Sequence, residues 1–574
     1  MDNQGVAATF YEIADLLDLQ GVAFKPAAYR RAARNIESME EDINKLASEG
    51  KVKDIDGVGE AMAKKIDEML TTGKLRYLEE LRSQLPEGLL DVLRVPDVGP
   101  RTAMVLYKEL GITSLQQLKE AAAAKRLRGL KGFGEKTEQR ILQGIDTLEA
   151  KGKRTLLGEA LPVAEEYVEH LRASRTLDKI SIAGSLRRGK ETVGDIDILV
   201  GDDEPSAIME SFVAYPKVSE ILMKGPTKST VRLKNGLQVD IRAVETNSYG
   251  AALCYLTGSK EHNVYMRKVG VEMGLKLNEY GLFERDSGKM VAGATEEEVY
   301  EALGFRYIDP ELRENSGEFA ASREGRLPKL VKRDDVRGDF HVHTEWSDGS
   351  NTIQQVADSA AKRGYEFVTI TDHSQSMKIA GGLSPEDLRK QIAEVRKADS
   401  AAGGRLRVLA GTEVDIKSDG SLDFPKTLLK DLDVVVASVH SGFKMEKDEM
   451  TKRVVAAVES GTIDILGHPT GRLIGERTGY QLDLQKVFEA ARSSGVSMEI
   501  NSFPNRLDLG DINCRTAKDA GVRMAIGTDS HHVDQMGFIR LGVITARRGW
   551  LEAKDVLNTV KAKDLDRHLR GRRA

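Results

Sequence analysis

Two groups of residues in this sequence have types and spacings that could do metal chemistry. In the first, Gly184-Ser185 is followed by Arg187-Arg188-Gly189 and by Gly194-Asp195-Ile196-Asp197, and a further acid stands in Gln238-Val239-Asp240-Ile241-Arg242. Strand side chains alternate, so Asp195 and Asp197 share a face and can share metal ions. Together with Asp240 they form a set of carboxylates suited to two Mg2+ or Mn2+ ions that bridge a triphosphate and a primer hydroxyl. Ser185, Arg188 and the Gly194 amide follow as receivers of phosphate oxygens, arginine being favoured for its fork of donors. A DxD pair alone is an ordinary surface feature, whereas the ordered set is not.

The second group is His341, His343, Asp348, His373, Glu413, His440, His468, Asp529 and His531, which includes six of the ten histidines in the chain. Each stands at, or just beyond, the end of a short apolar run. One HxH could be a surface pair on a strand, but nine such coincidences point to one site. Imidazole and carboxylate donors suit Zn2+, Mn2+ or Fe2+, and nine side chains exceed what one tetrahedral ion takes, so two or three divalent ions are expected. Such a cluster clamps a phosphate and lowers the pKa of bound water, which is the chemistry of phosphoester hydrolysis. His532 falls outside the pattern and reads as a surface residue.

Positioning these groups requires strands. Lys179 to Gly184, Asp195 to Val200 and Leu237 to Val244 alternate or run apolar, which predicts an α+β domain around the aspartates. Further along, the runs Asp339–His343, Phe367–Thr371, Val408–Glu413, Val434–His440, Ile463–His468, Met498–Asn501 and Met524–Asp529 are mostly separated by helical patterns. One of these helices opens on Ser384-Pro385-Glu386, an N-cap followed by a first-turn proline. Strand-helix alternation predicts a parallel sheet, and seven units predict a (β/α)7-type barrel with its site at the C-terminal strand ends. From Ala7 to about Leu148 the apolar residues keep helical spacing. Gly57-Val58-Gly59, Val98-Gly99-Pro100 and Gly132-Phe133-Gly134 punctuate that region as helix-hairpin-helix turns, whose exposed amides bind DNA phosphates without reading bases. Gly57, Gly59, Gly99, Gly132 and Gly134 are therefore candidate DNA contacts, with Asp97 in place of the first glycine of the second turn.

Residues 1 to about 318 resemble family X DNA polymerases, a likeness carried by GSxRRG, GDxD and the distant Asp240. It implies a nucleotidyltransferase palm and thumb. By that resemblance Asp195, Asp197 and Asp240 are the catalytic metal triad, and Arg154, Ser185, Arg188 and Gly194 contact the triphosphate. Tyr255, Gly258, Asn263 and Arg267 line the nucleoside and template side. Leu256 replaces an aromatic of the family, and Lys260 stands where the vertebrate repair polymerase has an acid, adding a triphosphate contact. Tyr29, Arg31 and Lys65 match the family's deoxyribose phosphate lyase pocket, with Lys65 as Schiff-base amine, although Ala61 occupies the place of a phosphate-binding lysine. Residues Asp334 to about Arg570 resemble the polymerase and histidinol phosphatase (PHP) family through His341-Val342-His343, Thr371-Asp372-His373, Gly467-His468-Pro469 and Asp529-Ser530-His531. That likeness implies one ion on His341, His343, Glu413 and Asp529, a second on Glu413, His440 and His468, and a third on Asp348, His373 and His531.

The expected order is thus a multidomain α+β chain. Residues 1–85 form a helical lyase-like domain, 86–150 a helix-hairpin-helix region, 151–245 the palm, 246–318 the thumb, 319–335 a linker and 336–574 the PHP domain. At 574 residues the chain exceeds a single core several-fold. A formal charge of -5 excludes a uniformly basic binder without excluding basic stripes. Cys254 and Cys514, far apart, support neither a disulfide framework nor a zinc ribbon. No apolar run approaches the ~20 residues that span a bilayer, so a cytoplasmic, nucleoid-associated monomer is expected. Its partners would be gapped or nicked DNA, dNTPs and other repair proteins. The implied function is short-gap synthesis at a primer 3' end, with the PHP domain removing or repairing that end as a 3'-5' exonuclease, a 3'-phosphatase or an abasic-site endonuclease. The alternatives are a PHP nuclease with a polymerase-like module that only positions DNA, and a non-catalytic DNA-end scaffold.

Overall fold

A computed structural model describes every residue of the chain except 2, 40–42, 87, 94, 96–97, 131–132, 153, 175–176 and 570–574. Gly132 and Asp97 lie outside the described residues. The chain divides into two compact units, Met1–Arg154 and Thr155–Ala574.

The first unit is helical because its apolar residues recur every three or four positions. On the helix Asn3–Leu19, residues Val6, Phe10, Ile13 and Leu17 fall on one face and are buried. They share a core with Ile36 of Lys25–Ser38 and with Ile66 and Met69 of Glu60–Thr72. A second core joins Leu106 of Pro100–Leu110, Leu118 of Leu115–Ala123 and Ile141 of Glu135–Gly152. The turns are where the glycines predicted them. Gly57 adopts φ 84°, and Gly59 and Gly99 are the N-cap residues of Glu60–Thr72 and Pro100–Leu110. Both helices end on a left-handed glycine, Gly73 and Gly111, which can take that conformation without a Cβ clash.

The second unit opens on a short extended segment, Thr155–Leu156, and the helix Leu157–Ser174, and then forms a five-stranded sheet: β1 (Lys179–Ile182), β2 (Asp195–Gly201), β3 (Val218–Lys224), β4 (Lys228–Leu233) and β5 (Gln238–Val244), in the order β1-β2-β5-β4-β3. Only the central pair β2 and β5 is parallel. The two strands absent from the sequence-based expectation are β3 and β4, and β3 is exposed along nearly its whole length, so it lacks the apolar rhythm that marks a half-buried strand. The expected strand over Lys179 to Gly184 stops at Ile182 and gives way to the short helix Gly184–Arg187. Helices Tyr249–Thr257 and Lys260–Glu272 follow, then a small antiparallel sheet of β6 (Leu275–Asn278), β7 (Gly281–Glu284) and β8 (Met290–Ala292).

The barrel strands are β9 (Gly338–Val342), β10 (Phe367–Ile370), β11 (Arg407–Asp415), β12 (Val434–Ser438), β13 (Ile465–Leu466), β14 (Ser497–Asn501) and β15 (Met524–Gly527). They lie parallel and in chain order. First and last strands meet where Asp529 N donates to the His341 carbonyl (2.9 Å) and His343 N to that of Ser530 (2.8 Å), leaving a nearly closed barrel.

Residues 319–335, expected as a linker, are packed structure. They continue the helix Glu318–Arg323, bury Phe319, Leu330 and Val331, and tie to the barrel through Val331 N and the Leu551 carbonyl (3.0 Å). Short apolar islands among charged residues carry no period, which hides such a strap from sequence reading. Leu507 and Leu541, from the barrel part of the chain, are buried inside the core cluster of the five-stranded sheet, and Glu191 pairs with Arg472 at 2.7 Å.

Candidate active sites

In-register pairing of β2 and β5 places Asp197 directly beside Asp240, with Asp195 two residues away on the same face. Burial, reinforced by Asp195 and Asp240, pushes the Asp197 carboxyl up to about 7. Three carboxylates so close are poised for cations. Thr230 Oγ1 and Gln238 Nε2 donate to Asp240 at 2.5 and 2.7 Å and fix its plane. Gly184, at φ 64°, passes so near the triad that an added Cβ would stand 2.1 Å from Asp197 Oδ2. The aspartates line a pocket of about 290 Å3 with Lys228, Tyr255 and Leu256. Lys228 was not foreseen, because nothing in the sequence says that β4 adjoins β5.

Ser185 and Arg188 sit at the short helix Gly184–Arg187, just before the triad. Arg188 reaches the Thr257 carbonyl and donates to Glu314 at 3.2 Å, and an added Cβ on Gly258 would come within 3.1 Å of its Nη1. Tyr255 is exposed, and its carbonyl accepts from Asn263 Nδ2 at 2.7 Å. Arg267 Nε donates to the Asn263 carbonyl at 3.4 Å, and Lys260 opens the helix Lys260–Glu272. Gly194 immediately precedes β2. Arg154 is exposed and is the last residue of the first unit.

All nine histidines and carboxylates of the second group converge at the barrel mouth. Glu413 is central: one oxygen lies 2.9 Å from His468 Nε2 and 3.3 Å from His440 Nε2, and the other 2.8 Å from His373 Nδ1 and 3.6 Å from His341 Nε2. His343 Nε2 is 3.1 Å from Asp529, and Asp348 lies 3.3 Å from His531 and 3.6 Å from His373. Three ligand clusters result, each with donor atoms within 4.8 Å of one another: His341, His343 and Asp529; His373, Glu413 and His440; and His343, Asp348, His373 and His531. The grouping differs from the expected sets: Glu413 falls outside the cluster of His341, His343 and Asp529, His468 stands outside all three although it touches Glu413, and His343 and His373 each adjoin two clusters.

Among the described residues, the buried side-chain atoms without a hydrogen-bond partner include His341 Nε2, both ring nitrogens of His343, His373 Nδ1 and Glu413 Oε2. Leaving such atoms unpaired is costly, and their concentration at one point fits divalent metal ions. Burial, helped by His373, pushes His343 down to about 3, so it is held neutral as a ligand must be. Burial works against the charge on Glu413, but His440, His373 and His341 hold it well below the ordinary carboxylate range. Burial likewise opposes protonation of His440, yet Glu413 and Asp415 raise it to about 10. His468 and Asp529 adopt positive φ (24° and 54°), a backbone cost of order 1–3 kcal/mol each that aims both side chains into the mouth.

Sequence reasoning missed the residues behind these ligands. His341 Nδ1 lies 2.6 Å from Glu499, His440 Nδ1 lies 3.1 Å from Asp415, and Asp529 accepts from Asn501 Nδ2 at 3.1 Å and pairs with Arg506 at 3.3 Å. A signal existed: Asp415 stands two residues after Glu413, and Glu499 and Asn501 are two apart on β14, all facing inward by strand alternation. His532 is exposed, caps the turn Val533–Phe538 and lies 3.4 Å from Asp534, away from the ligands.

In the first unit, Tyr29 is buried edge-on against Phe10 (5.3 Å between ring centroids), and burial pushes its hydroxyl up to about 12. Arg31 grips Asp56 at 2.7 Å beside the Gly57 turn. Lys65 Nζ lies 4.6 Å from the Tyr77 ring centre and 3.4 Å from the Ala61 carbonyl. Gly134 immediately precedes the helix Glu135–Gly152.

Comparison with known proteins matches residues 1–75 to a helix-hairpin-helix domain, 89–147 to a SAM-like helix-hairpin-helix tandem, 252–314 to the DNA polymerase beta thumb and 339–503 to the PHP domain. The DNA polymerase/3'-5' exonuclease PolX of Bacillus subtilis (strain 168) is 36% identical over 573 residues, covering 99% of this chain and all of that protein. A probable phosphatase of Thermoanaerobacter sp. (strain X514) is 31% identical over 232 residues, 38% of this chain and 89% of its own length. A probable phosphatase of Acetivibrio thermocellus is 33% identical over 209 residues, 35% of this chain and 81% of its own.

Proposed function

This chain belongs to the family X DNA polymerases that carry a C-terminal PHP domain, and from that membership we propose that its two sites act in turn on one primer 3' end. It is a DNA polymerase and a metal-dependent 3'-5' exonuclease. The observation that carries the pairing is that a single compact unit, Thr155–Ala574, holds both complete sets of ligand-type residues.

At the first site Asp195, Asp197 and Asp240 hold Mg2+ or Mn2+, which supplies positive charge to a dNTP triphosphate and the primer hydroxyl. Arg188, Ser185, the Gly194 amide and Arg154 receive the phosphates. Tyr255, Gly258, Lys260, Asn263 and Arg267 border the nucleoside and template, and the glycine turns of the first unit bind the backbone of gapped or nicked DNA. At the second site the nine PHP side chains hold two or three ions of Zn2+, Mn2+ or Fe2+, whose chemistry there is to activate water and clamp a phosphate. Glu499, Asp415 and Asn501 orient the ligands, and the exposed mouth beside Asp348 and His531 admits a DNA end. Removal of 3' phosphates and cleavage at abasic sites are activities of the same centre, and the likeness to probable phosphatases supports phosphomonoesters as substrates. No helix among the described residues is long and apolar enough to cross a membrane.

Primer extension and primer degradation, assayed with Mg2+ and Mn2+, test the proposal. Asp240→Ala loses synthesis and keeps degradation, and His341→Ala does the reverse. Loss of both activities in either folded variant overturns the two-site reading.

A further inference from the structure

The loop that carries the triphosphate-contact residues is not held by the palm alone. Arg548, at the end of the PHP helix Ile539–Arg548, has a side chain only 5% exposed and uses its whole guanidinium at this junction. Its Nε and Nη2 lie 2.8 and 2.6 Å from Asp511 of the PHP domain. Its Nη1 donates to the main-chain carbonyl of Arg188 at 2.7 Å and to Glu314 Oε1 at 3.1 Å. The same Glu314 oxygen accepts from Arg188 Nε at 3.2 Å and lies 3.8 Å from Lys190 Nζ. Next to this network, Gly189 is at φ 64° and so flush with the PHP helix that an added Cβ would stand 2.2 Å from Ile544 Cγ2.

We propose that Arg548 of the PHP domain is a positioning residue for the polymerase site, pinning the Gly184–Gly189 loop and sharing Glu314 so that Arg188 stays available to the dNTP triphosphate. The inference rests on Arg188 being a triphosphate contact. Its physical basis is the number of partners. Glu314 faces three cations through one oxygen, and its hold on Arg188 is diluted by Arg548; without Arg548 the carboxylate competes with the triphosphate for Arg188 while the Arg188 carbonyl loses its donor. A guanidinium can span Asp511, the carbonyl and Glu314 together, whereas the ammonium of a lysine cannot. Charge-assisted bonds of this kind are the strong ones.

The test measures dNTP KM and kcat in primer extension for the full chain, with exonuclease rate on the same preparation as a gauge of folding. Arg548→Ala raises dNTP KM about ten-fold or more while kcat falls less and exonuclease activity stays at the wild-type rate. Arg548→Lys gives an intermediate KM. An unchanged KM in Arg548→Ala with normal exonuclease activity overturns the inference. Should Arg548→Ala fail to fold, Arg548→Lys decides: a raised KM supports the role and an unchanged one overturns it. Arg188→Ala separates the layers. If it leaves KM unchanged, the reading of Arg188 itself fails, and if it raises KM while both Arg548 variants do not, only the present inference fails.

Discussion

His341 donates through Nδ1–H to Glu499, 2.6 Å away, which leaves Nε2 facing Glu413 and Asp529. A carboxylate behind a histidine fixes the ring and its tautomer and makes it a better ligand, and loss of such a partner typically costs 10–100-fold in metal affinity or activity. Glu499→Gln is therefore expected to shift the Mn2+ dependence of primer degradation to higher concentration by roughly that factor, with primer extension unaffected. An unchanged Mn2+ titration would remove Glu499 from the site. Lys65 shows the opposite case, a residue whose type fits a role that its surroundings do not build. A Schiff-base lysine needs desolvation or a neighbouring cation, but Lys65 is half-exposed above Tyr77, Tyr29 belongs to the helical core, and Arg31 is engaged by Asp56. Borohydride trapping on a 5'-deoxyribose phosphate end is expected to give no Lys65-dependent adduct, and a covalent product lost in Lys65→Ala would reverse that view. Asp195, Asp197, Asp240 and the PHP ligands were legible at this scale because strand alternation and strand ends announce them.

The helix Glu296–Ala302 begins with a Thr295 capping box, yet its first residue faces inward. Glu296 bridges Arg313 at 2.6 Å and Arg187 at 2.6 Å, joining the thumb to the palm helix that also carries Ser185. Burial opposes the ionised Glu296 carboxyl, but Arg313 and Arg187 overcome it and hold the group down at about 2. A depressed carboxyl contributes stability that is fully present above its unfolded value, near 4.3, and is lost as pH falls toward its folded value. At neutral pH that contribution is on the order of 3 kcal/mol. Wild type should accordingly lose stability more steeply than Glu296→Gln between about pH 5 and pH 3. Chemical denaturation across that range would show the two curves converging on acidification, and parallel curves would refute the ion cluster as the cause. None of this could be read from the sequence, where Glu296 is one of three consecutive glutamates and only the fold turns it inward. The barrel strands, by contrast, were nearly all visible as apolar runs. The exception in length is β13, which shrinks to Ile465–Leu466, since the residues around it keep their burial while leaving the ladder.

Across the whole second unit, palm and barrel share a core rather than merely touching. Leu541 is 1% exposed within the palm cluster and adjoins Gly158, where an added Cβ would come within 3.0 Å of its Cδ1. Truncating such a side chain removes buried apolar surface and leaves a cavity, at a cost of about 2–5 kcal/mol. Leu541→Ala is expected to lower the midpoints of heat inactivation of synthesis and degradation together, because the core it breaks belongs to both. Separate midpoints, with degradation spared, would show that the palm unfolds alone. The sequence by itself determined which side chains can do chemistry and on which strands they sit, because alternation along a strand and clustering at barrel ends are local rules. It also marked the helical front through periodicity and glycine turns. Tertiary structure alone decided which ligands share a cluster, that Glu499 and Asp415 stand behind them, and that Arg548 reaches the carbonyl of Arg188 across 360 positions. Such contacts follow from how distant surfaces are brought face to face, and no local periodicity encodes them.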